Sequence, residues 1–305
     1  MIDYLKSIYR NRGLETLATE RQSKKLKRSP PFFIDMKQHS KKIRNSKTIH
    51  YVVQGNGPPV ILLHGVAASL YDWEALQPDL ASTGYRVYAI DLPGHGESYK
   101  PQDPQDYLAS KVFKVIEDWI ADQDLQEPAI LIGHSLGGYF SLLYALRHPQ
   151  RVHRLVLIDP FYSPKQLSPL LRRINRRPDW SEKALRFTPE WLVNIVLGLD
   201  PTSRNHFSEN ARMQIAADYK RASPHIMYTP GSIDDLTPDL QAILQPSLVI
   251  WGAKDLTLDT GTFPALVSTL PNAAGYTLVE SGHQPHIGKP QRVKRLILNF
   301  LNQPE

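Results

Sequence analysis

The sequence predicts an α/β protein: a mostly parallel sheet flanked by helices, with a helical cap insertion. Three observations predict it. Short, continuously apolar runs such as Val60-Ile61-Leu62-Leu63 and Arg154-Leu155-Val156-Leu157-Ile158 alternate with segments of helical periodicity, the pattern of a parallel sheet covered on both faces. Between Asp159 and about Pro246 the alternation stops and only helical patterns remain. Finally, the apolar run Ala129-Ile130-Leu131-Ile132 passes through Gly133-His134-Ser135-Leu136-Gly137 straight into a helical pattern, a strand–turn–helix junction.

In chain order, a basic extension over residues 1–31 precedes the body. Residues 1–48 carry 13 Lys and Arg against 4 Asp and Glu, so the net charge of +6 belongs to this end and the rest of the chain is slightly acidic. The extension lacks an apolar stretch long enough for a signal peptide or a membrane span. Residues 1–28 are therefore expected to be a solvated, partly helical arm, the sharper alternative being a peripheral contact with anionic lipid through Lys24, Lys25, Lys27 and Arg28. The chain has no cysteine, which excludes disulfides, thiolate metal sites and cysteine nucleophiles and points to the cytoplasm.

The body opens with a hairpin-like region from Phe32 to Val53, closed by the turn-forming Gln54-Gly55-Asn56-Gly57-Pro58-Pro59. Strand 60–63 leads into His64-Gly65, and strand 86–90 into Asp91-Leu92-Pro93-Gly94-His95-Gly96-Glu97-Ser98. Leu108, Val112, Val115, Ile116, Trp119 and Ile120 give helical spacing over 106–121. Strand 129–132, a helix over 138–147 and strand 154–158 complete the first part of the core, residues 32–159.

Residues 160–245 form the insertion. Leu167, Leu170, Leu171 and Ile174 mark one helical face and Arg172, Arg173, Arg176 and Arg177 the other. Thr188-Pro189 reads as the start of a helix through Trp191, Leu192, Ile195 and Val196, and Ser208 as the cap of another. The core resumes over 246–305 with strand 247–251, a helix near 262–270, strand 276–279 and a helix over 290–302.

The pentapeptide Gly133-His134-Ser135-Leu136-Gly137 has the chemistry of an exposed nucleophile. Strained backbone angles at Ser135 leave no room for side chains two positions away, which is where the glycines Gly133 and Gly137 stand. The turn lifts one hydroxyl above the carboxyl ends of the strands, where open α/β sheets bind ligands. The Leu136 N–H, at the start of the following helix, is placed to face a developing oxyanion. Serine needs a base and an acid to orient that base. Asp255 follows strand 247–251 and His283 follows strand 276–279, in the order such turns require. Asp259 and His286 are the competing acid and base, and Asp159 is a further carboxylate expected to tie the junction of the insertion.

These motifs, with Leu62-Leu63-His64-Gly65, Trp251-Gly252-Ala253-Lys254-Asp255 and Ser281-Gly282-His283, resemble those of the α/β-hydrolase family from about residue 32 to the C-terminus. The insertion corresponds to that family's variable cap, and residues 1–30 have no counterpart. The resemblance implies a Ser135–Asp255–His283 triad and a two-step acyl mechanism. Its second oxyanion donor would be the Val66 N–H, and it needs no metal or organic cofactor. His64 and Trp191 are candidate substrate-binding residues, although the structural role, bonding loop backbone near the site, is the preferred reading for His64 and His95.

Three functions follow from that reading: hydrolysis of a carboxylic ester or related acyl compound, cleavage of a carbon–carbon bond beside a carbonyl, and ligand binding without catalysis. Serine in place of aspartate at the turn argues against relatives that open epoxides or remove halides. The arginines 172, 173, 176 and 177 are the one hint of a charged substrate. The expected partner is a small acyl compound, and no nucleic acid is expected. Oligomeric state is not legible.

Overall fold

The computed structural model describes residues 37–42, 47–167, 169–199 and 201–303. The basic arm and Phe32–Met36 of the hairpin-like region lie outside the described residues. Eight strands form one sheet: β1 (Lys37–Lys42), β2 (Thr48–Gln54), β3 (Pro59–Leu63), β4 (Arg86–Ile90), β5 (Ala129–His134), β6 (Val152–Ile158), β7 (Ser247–Gly252) and β8 (Ala273–Leu278). Their order across the sheet is β1-β2-β4-β3-β5-β6-β7-β8. β1 and β2 form an antiparallel hairpin, β2 pairs antiparallel with β4, and every later pairing is parallel.

Burial explains which strands were easiest to foresee. β3, β5 and β7 are buried at every position, so their sequences are apolar apart from His134 at the end of β5 and Ser247 at the start of β7. β8 is the edge strand, exposed at four successive residues from Ala274 to Thr277. It starts at Ala273, three residues before the expected start, because Ala-Ala-Gly on an exposed edge carries none of the β-branched signal of an inner strand. β6 likewise begins at Val152, two residues early.

The helices of the core are α1 (Gln77–Ser82), α2 (Ala109–Ala121) and α3 (Leu136–Arg147). Helix α2 turns Val112, Phe113, Val115, Ile116, Trp119 and Ile120 into the core. Helix α3 is buried along ten successive residues, against β3, β5 and β6. The chain between β6 and β7 is helical, as expected: α4 (Pro169–Asn175), α5 (Pro178–Phe187), α6 (Glu190–Leu199), α7 (Pro201–His206) and α8 (Glu209–Arg221). The Ser208 side chain accepts a hydrogen bond from the Ala211 N–H at 3.1 Å, capping α8. Two further helices, α9 (Thr262–Thr269) and α10 (Pro290–Leu301), pack against β7 and close the core. Among the described residues no helix is long and apolar enough to cross a membrane.

The strand order reverses direction between β3 and β5, and the loops leaving their carboxyl ends diverge there into a crevice. The loop after β3 carries His64 to Ala67, and the turn after β5 carries Ser135. The two approach closely: a Cβ added at Gly137 would stand 2.0 Å from the Leu63 carbonyl oxygen, and one at Gly133 2.4 Å from the Gly137 carbonyl oxygen. Gly137→Ala is therefore expected to cost about 1–3 kcal/mol of stability through forced backbone displacement, read as a lowered midpoint in urea unfolding. A midpoint unchanged from wild type would show that the approach relaxes without cost.

Candidate active site

Ser135 sits between β5 and α3 with φ +51° and ψ −114°, a region that non-glycine residues occupy only when their surroundings force it. Its N–H donates to the Ile158 carbonyl at 3.0 Å, and its own carbonyl accepts from Gly138, Tyr139 and Phe161 at 2.9, 3.2 and 3.0 Å. The hydroxyl is 3.0 Å from Nε2 of His283, and His283 Nδ1 is 2.7 Å from Asp255 Oδ2. Asp255 Oδ1 accepts from the N–H groups of Thr257 and Leu258 at 2.7 and 3.0 Å. Burial alone would push the Asp255 carboxyl up, but the His283 ring and these two backbone donors outweigh it and hold the group below the usual carboxylate range. An ionised Asp255 makes Nδ1 of His283 the protonated nitrogen and leaves Nε2 facing the hydroxyl as acceptor.

The competing residues lie elsewhere. Asp259 is exposed and accepts from Gly261 N–H at 2.9 Å, closing its own turn. His286 is buried, stacked on Trp73 and packed against His134, with ring centroids 5.0 and 4.4 Å apart.

His64 is a correction. Its Nδ1 donates to the Gly65 carbonyl at 2.7 Å and its Nε2 accepts from the Leu92 N–H at 2.9 Å, with the residue wholly buried. No polar atom of the ring is left for a substrate. Its role is to tie the loop after β3 to the loop after β4. His95 does the same from the other side, accepting from the Ala67 N–H at 3.1 Å and donating to the Pro93 carbonyl at 3.0 Å. Burial, and then the neighbouring His64, lower the His95 pKa to about 3, so it is neutral at physiological pH. The loop they hold has Ala67 at φ +58°. Asp91 fixes the opposite end: its carboxylate takes hydrogen bonds from Leu70 N–H, Glu97 N–H and His50 Nδ1, each within 2.9 Å. Burial opposes ionisation, yet His50, His64 and the Glu97 N–H bring its pKa down to about 2.

Trp191 is the second correction. It is 64% exposed and is not among the residues lining the cavity that Val66 and Gln284 border. That cavity, about 350 Å³, is lined by Val66, Ala67 and Asp72 from the core and by Thr188, Val193, Leu197 and others from the insertion. On α6 the inward phase falls at Val193 and Leu197, four residues apart, and Trp191 lies off it. Of the aromatic residues of the insertion, Tyr219 lines the cavity, while Trp180 and Phe187 are exposed. Among the described residues the lining contains no arginine; Arg172 instead donates to the carbonyls of Lys165 and Leu167. Gln284, next to His283, also borders the cavity and escaped sequence reasoning.

Two groups of metal-ligand type occur among the described residues, Asp72–His134–His286 and Asp159–Asp255–His283. The second is the hydrogen-bonded chain above with one more carboxylate. In the first, Asp72 Oδ2 lies 3.9 Å from His134 Nδ1 and 3.7 Å from His286 Nε2. Tetrahedral zinc with bonds of about 2.0–2.1 Å needs ligand atoms about 3.3–3.4 Å apart, so the trio would have to close by several tenths of an ångström to hold one. Burial and the nearby His286 and His283 rings keep the His134 pKa well below its ordinary value. As a neutral ring it donates from Nε2 to the His283 carbonyl at 2.8 Å.

Asp159 was expected to tie the insertion, and it does something different. It is wholly buried at the end of β6 with φ +41°, and its Oδ1 accepts from Gly252 N–H at 3.0 Å across to β7. Burial, then the Asp255 charge, push its pKa well above the ordinary carboxylate value, so its carboxyl keeps its proton where free aspartates lose theirs. A raised pKa means the folded state holds a proton that the unfolded chain has lost. Stability from this group is full below the unfolded value of about 3.9 and falls as pH rises toward the folded value. Asp159→Asn is expected to remove that fall: its unfolding free energy relative to wild type should increase as pH rises above the unfolded value. A difference that stays constant above that value would mean that Asp159 is ionised in the folded protein.

The sequence profile of the alpha/beta hydrolase fold matches residues 58–290. The chain is 27% identical over 262 residues to the pimeloyl-[acyl-carrier protein] methyl ester esterase of Aeromonas hydrophila, covering 81% of this chain and 96% of that one. It is 26% identical over 287 residues to epoxide hydrolase 3 of Xenopus tropicalis, covering 83% and 74%. In structure it superposes on a thermophilic esterase from Thermogutta terrifontis with a TM-score of 0.74, over 87% of this chain and 98% of that one, a likeness of fold at 24% identity. The chain belongs to the α/β-hydrolase fold family and is a hydrolase of that fold.

Proposed function

We propose that this chain is a serine hydrolase of carboxylic esters or related acyl compounds, working through an acyl-enzyme on Ser135. The observation that carries the reading is the unbroken chain of contacts from Ser135 Oγ to His283 Nε2 at 3.0 Å and from His283 Nδ1 to Asp255 Oδ2 at 2.7 Å. His283 takes the hydroxyl proton as Ser135 attacks the carbonyl carbon, and Asp255 stabilises the imidazolium that forms. The tetrahedral oxyanion is met by the N–H groups of Val66 and Leu136. Leu136 opens α3, where the first N–H groups of a helix have no intrahelical acceptor, and Val66 borders the cavity. His283 then protonates the departing alcohol and activates the water that releases the acid.

Chemistry separates this reading from epoxide opening, the activity named for one relative. A serine alkoxide opening an epoxide would leave an alkyl ether, which water attacked by a histidine base does not hydrolyse. A serine ester is hydrolysed readily. The cavity supports a neutral acyl group: at about 350 Å³ it lies at the small end of small-molecule sites, and its insertion side is formed by Thr188, Val193, Leu197, Ile215 and Tyr219. On this reading residues 160–245 act as the cap that walls the acyl pocket, inserted into a core of residues 32–159 and 246–305.

A fluorophosphonate probe should label the wild type and fail to label Ser135→Ala. Hydrolysis of p-nitrophenyl esters should fall about 10⁴–10⁶-fold in Ser135→Ala and in His283→Ala, and about 10⁴-fold in Asp255→Asn. A folded wild type that takes no label would defeat the proposal, and full activity in His283→Ala would defeat the assignment of the base. Leu197→Trp, which fills the insertion side of the cavity, should lower kcat/KM for hexanoate esters at least tenfold more than for acetate. Equal losses would place the acyl chain elsewhere.

A further inference from the structure

The outer surface of the insertion carries large apolar side chains that stand exposed among the described residues. Trp180 is 63% exposed, Phe187 76% and Trp191 64%, and Leu192, Ile195 and Met213 are exposed as well. Phe187, Trp191 and Leu192 fall at one corner of the chain, where α5 ends and α6 begins. Helix α6, Glu-Trp-Leu-Val-Asn-Ile-Val-Leu-Gly-Leu, is apolar almost all round. Its Val193 and Leu197 wall the cavity while Trp191, Leu192 and Ile195 face outward. A helix of that composition is ordinarily buried on every side, and a patch of this kind marks an interaction surface.

Charge around the patch says what covers it. Residues 165–195 hold seven Lys and Arg against three Asp and Glu. Arg173, Arg176, Arg177, Lys183 and Arg186 are exposed on α4, α5 and the turn between them. Glu182 pairs with Arg186 at 2.8 Å and Lys165 with Asp235 at 2.9 Å, which leaves Arg173, Arg176, Arg177 and Lys183 at the surface against Asp179 and Glu190. The Arg177 guanidinium lies over the Trp180 ring at 5.5 Å. Tryptophan and phenylalanine seat at the boundary between headgroups and acyl chains, and a cationic rim is drawn to anionic headgroups. A second copy of this face would set the same positive rim against itself.

We propose that the α5–α6 face of the insertion docks on an anionic phospholipid surface. Docking lays the outer side of α6 on the lipid while its inner side walls the cavity. If the esterase reading holds, this brings the acyl pocket to apolar substrate dissolved in the lipid. The binding itself does not depend on that reading and is measured without turnover.

The test uses the full chain and vesicles of phosphatidylcholine, alone or mixed equally with phosphatidylglycerol. The protein has five tryptophans, of which Trp73, Trp119 and Trp251 are buried and Trp180 and Trp191 exposed. Phospholipids brominated on the acyl chains should therefore quench emission from the exposed pair when the protein binds. The proposal predicts flotation with the mixed vesicles and acyl-chain quenching. It also predicts an apparent affinity at least tenfold lower in W180S/F187S/W191S and in R173E/R176E/R177E, both of which keep the basic N-terminal arm. Unchanged thermal unfolding and unchanged hydrolysis of p-nitrophenyl acetate show that the variants are folded. Flotation equal to wild type in both variants would overturn the proposal and assign any binding to the arm. So would equal binding to pure phosphatidylcholine, or a dimer in sedimentation equilibrium that the first variant dissolves while neither protein floats.

Discussion

At Ser135 the backbone holds a conformation it would not adopt alone, and four hydrogen bonds on that residue's own peptide groups keep it there. Two of them come from outside the turn. The Ser135 N–H reaches the last residue of β6, and the Phe161 N–H returns to the Ser135 carbonyl from the segment just beyond it. The turn is thus fixed by the neighbouring strand as well as by its own glycines. Everything else in the site is referred to that point: the direction of the hydroxyl, the start of α3, and the distance to the loop after β3. A serine on a relaxed loop would sample many directions, and His283 would meet it only part of the time.

The loops around the turn are held by buried polar side chains bonded to backbone as well as by apolar packing. His64, His95 and Asp91 are all buried, and each is bonded to backbone groups of loops that carry no regular structure. Buried polar groups left unpaired would cost as much as these stabilise. The two histidines serve this purpose as neutral rings that accept at one nitrogen and donate at the other. Nearby, the Asp159–Asp255 pair shows one site holding two carboxyls in different states. Asp255 has an imidazole and two amides to stabilise its charge, whereas Asp159 has one amide and a negative neighbour.

Much of this was legible in the sequence because inner strands leave an unmistakable mark. β3, β5 and β7 are buried on both faces and are almost wholly apolar, so their carboxyl ends, and with them Ser135 and Asp255, could be placed to within two residues. His283 followed from its loop context although β8 itself is a poorly marked edge strand. What could not be read were properties of helical phase and of pairing across loops. Trp191 attracts attention by its size, but on α6 it is Val193 and Leu197 that point inward. His64 stands beside the site in sequence, yet whether a histidine ring faces a ligand or a peptide depends on a loop arriving from β4. Asp159 and Asp255 are 96 residues apart in the chain, and nothing short of the β6–β7 pairing reveals that they meet.

The strand ends that meet at the site are spread along the chain, which gives its assembly a temporal order. Ser135 belongs to the first half of the sequence, while His283 stands 22 residues from the end. The closing helix α10 is fastened to the sheet by its apolar face against β7 and by Arg154 of β6, which reaches the carbonyls of Phe300 and Gln303, each at 2.8 Å. A chain still emerging from the ribosome folds from its N-terminal side, so the strained turn at Ser135 forms before its partner. The contact between Ser135 and His283 is completed only once the segment following β8 is in place.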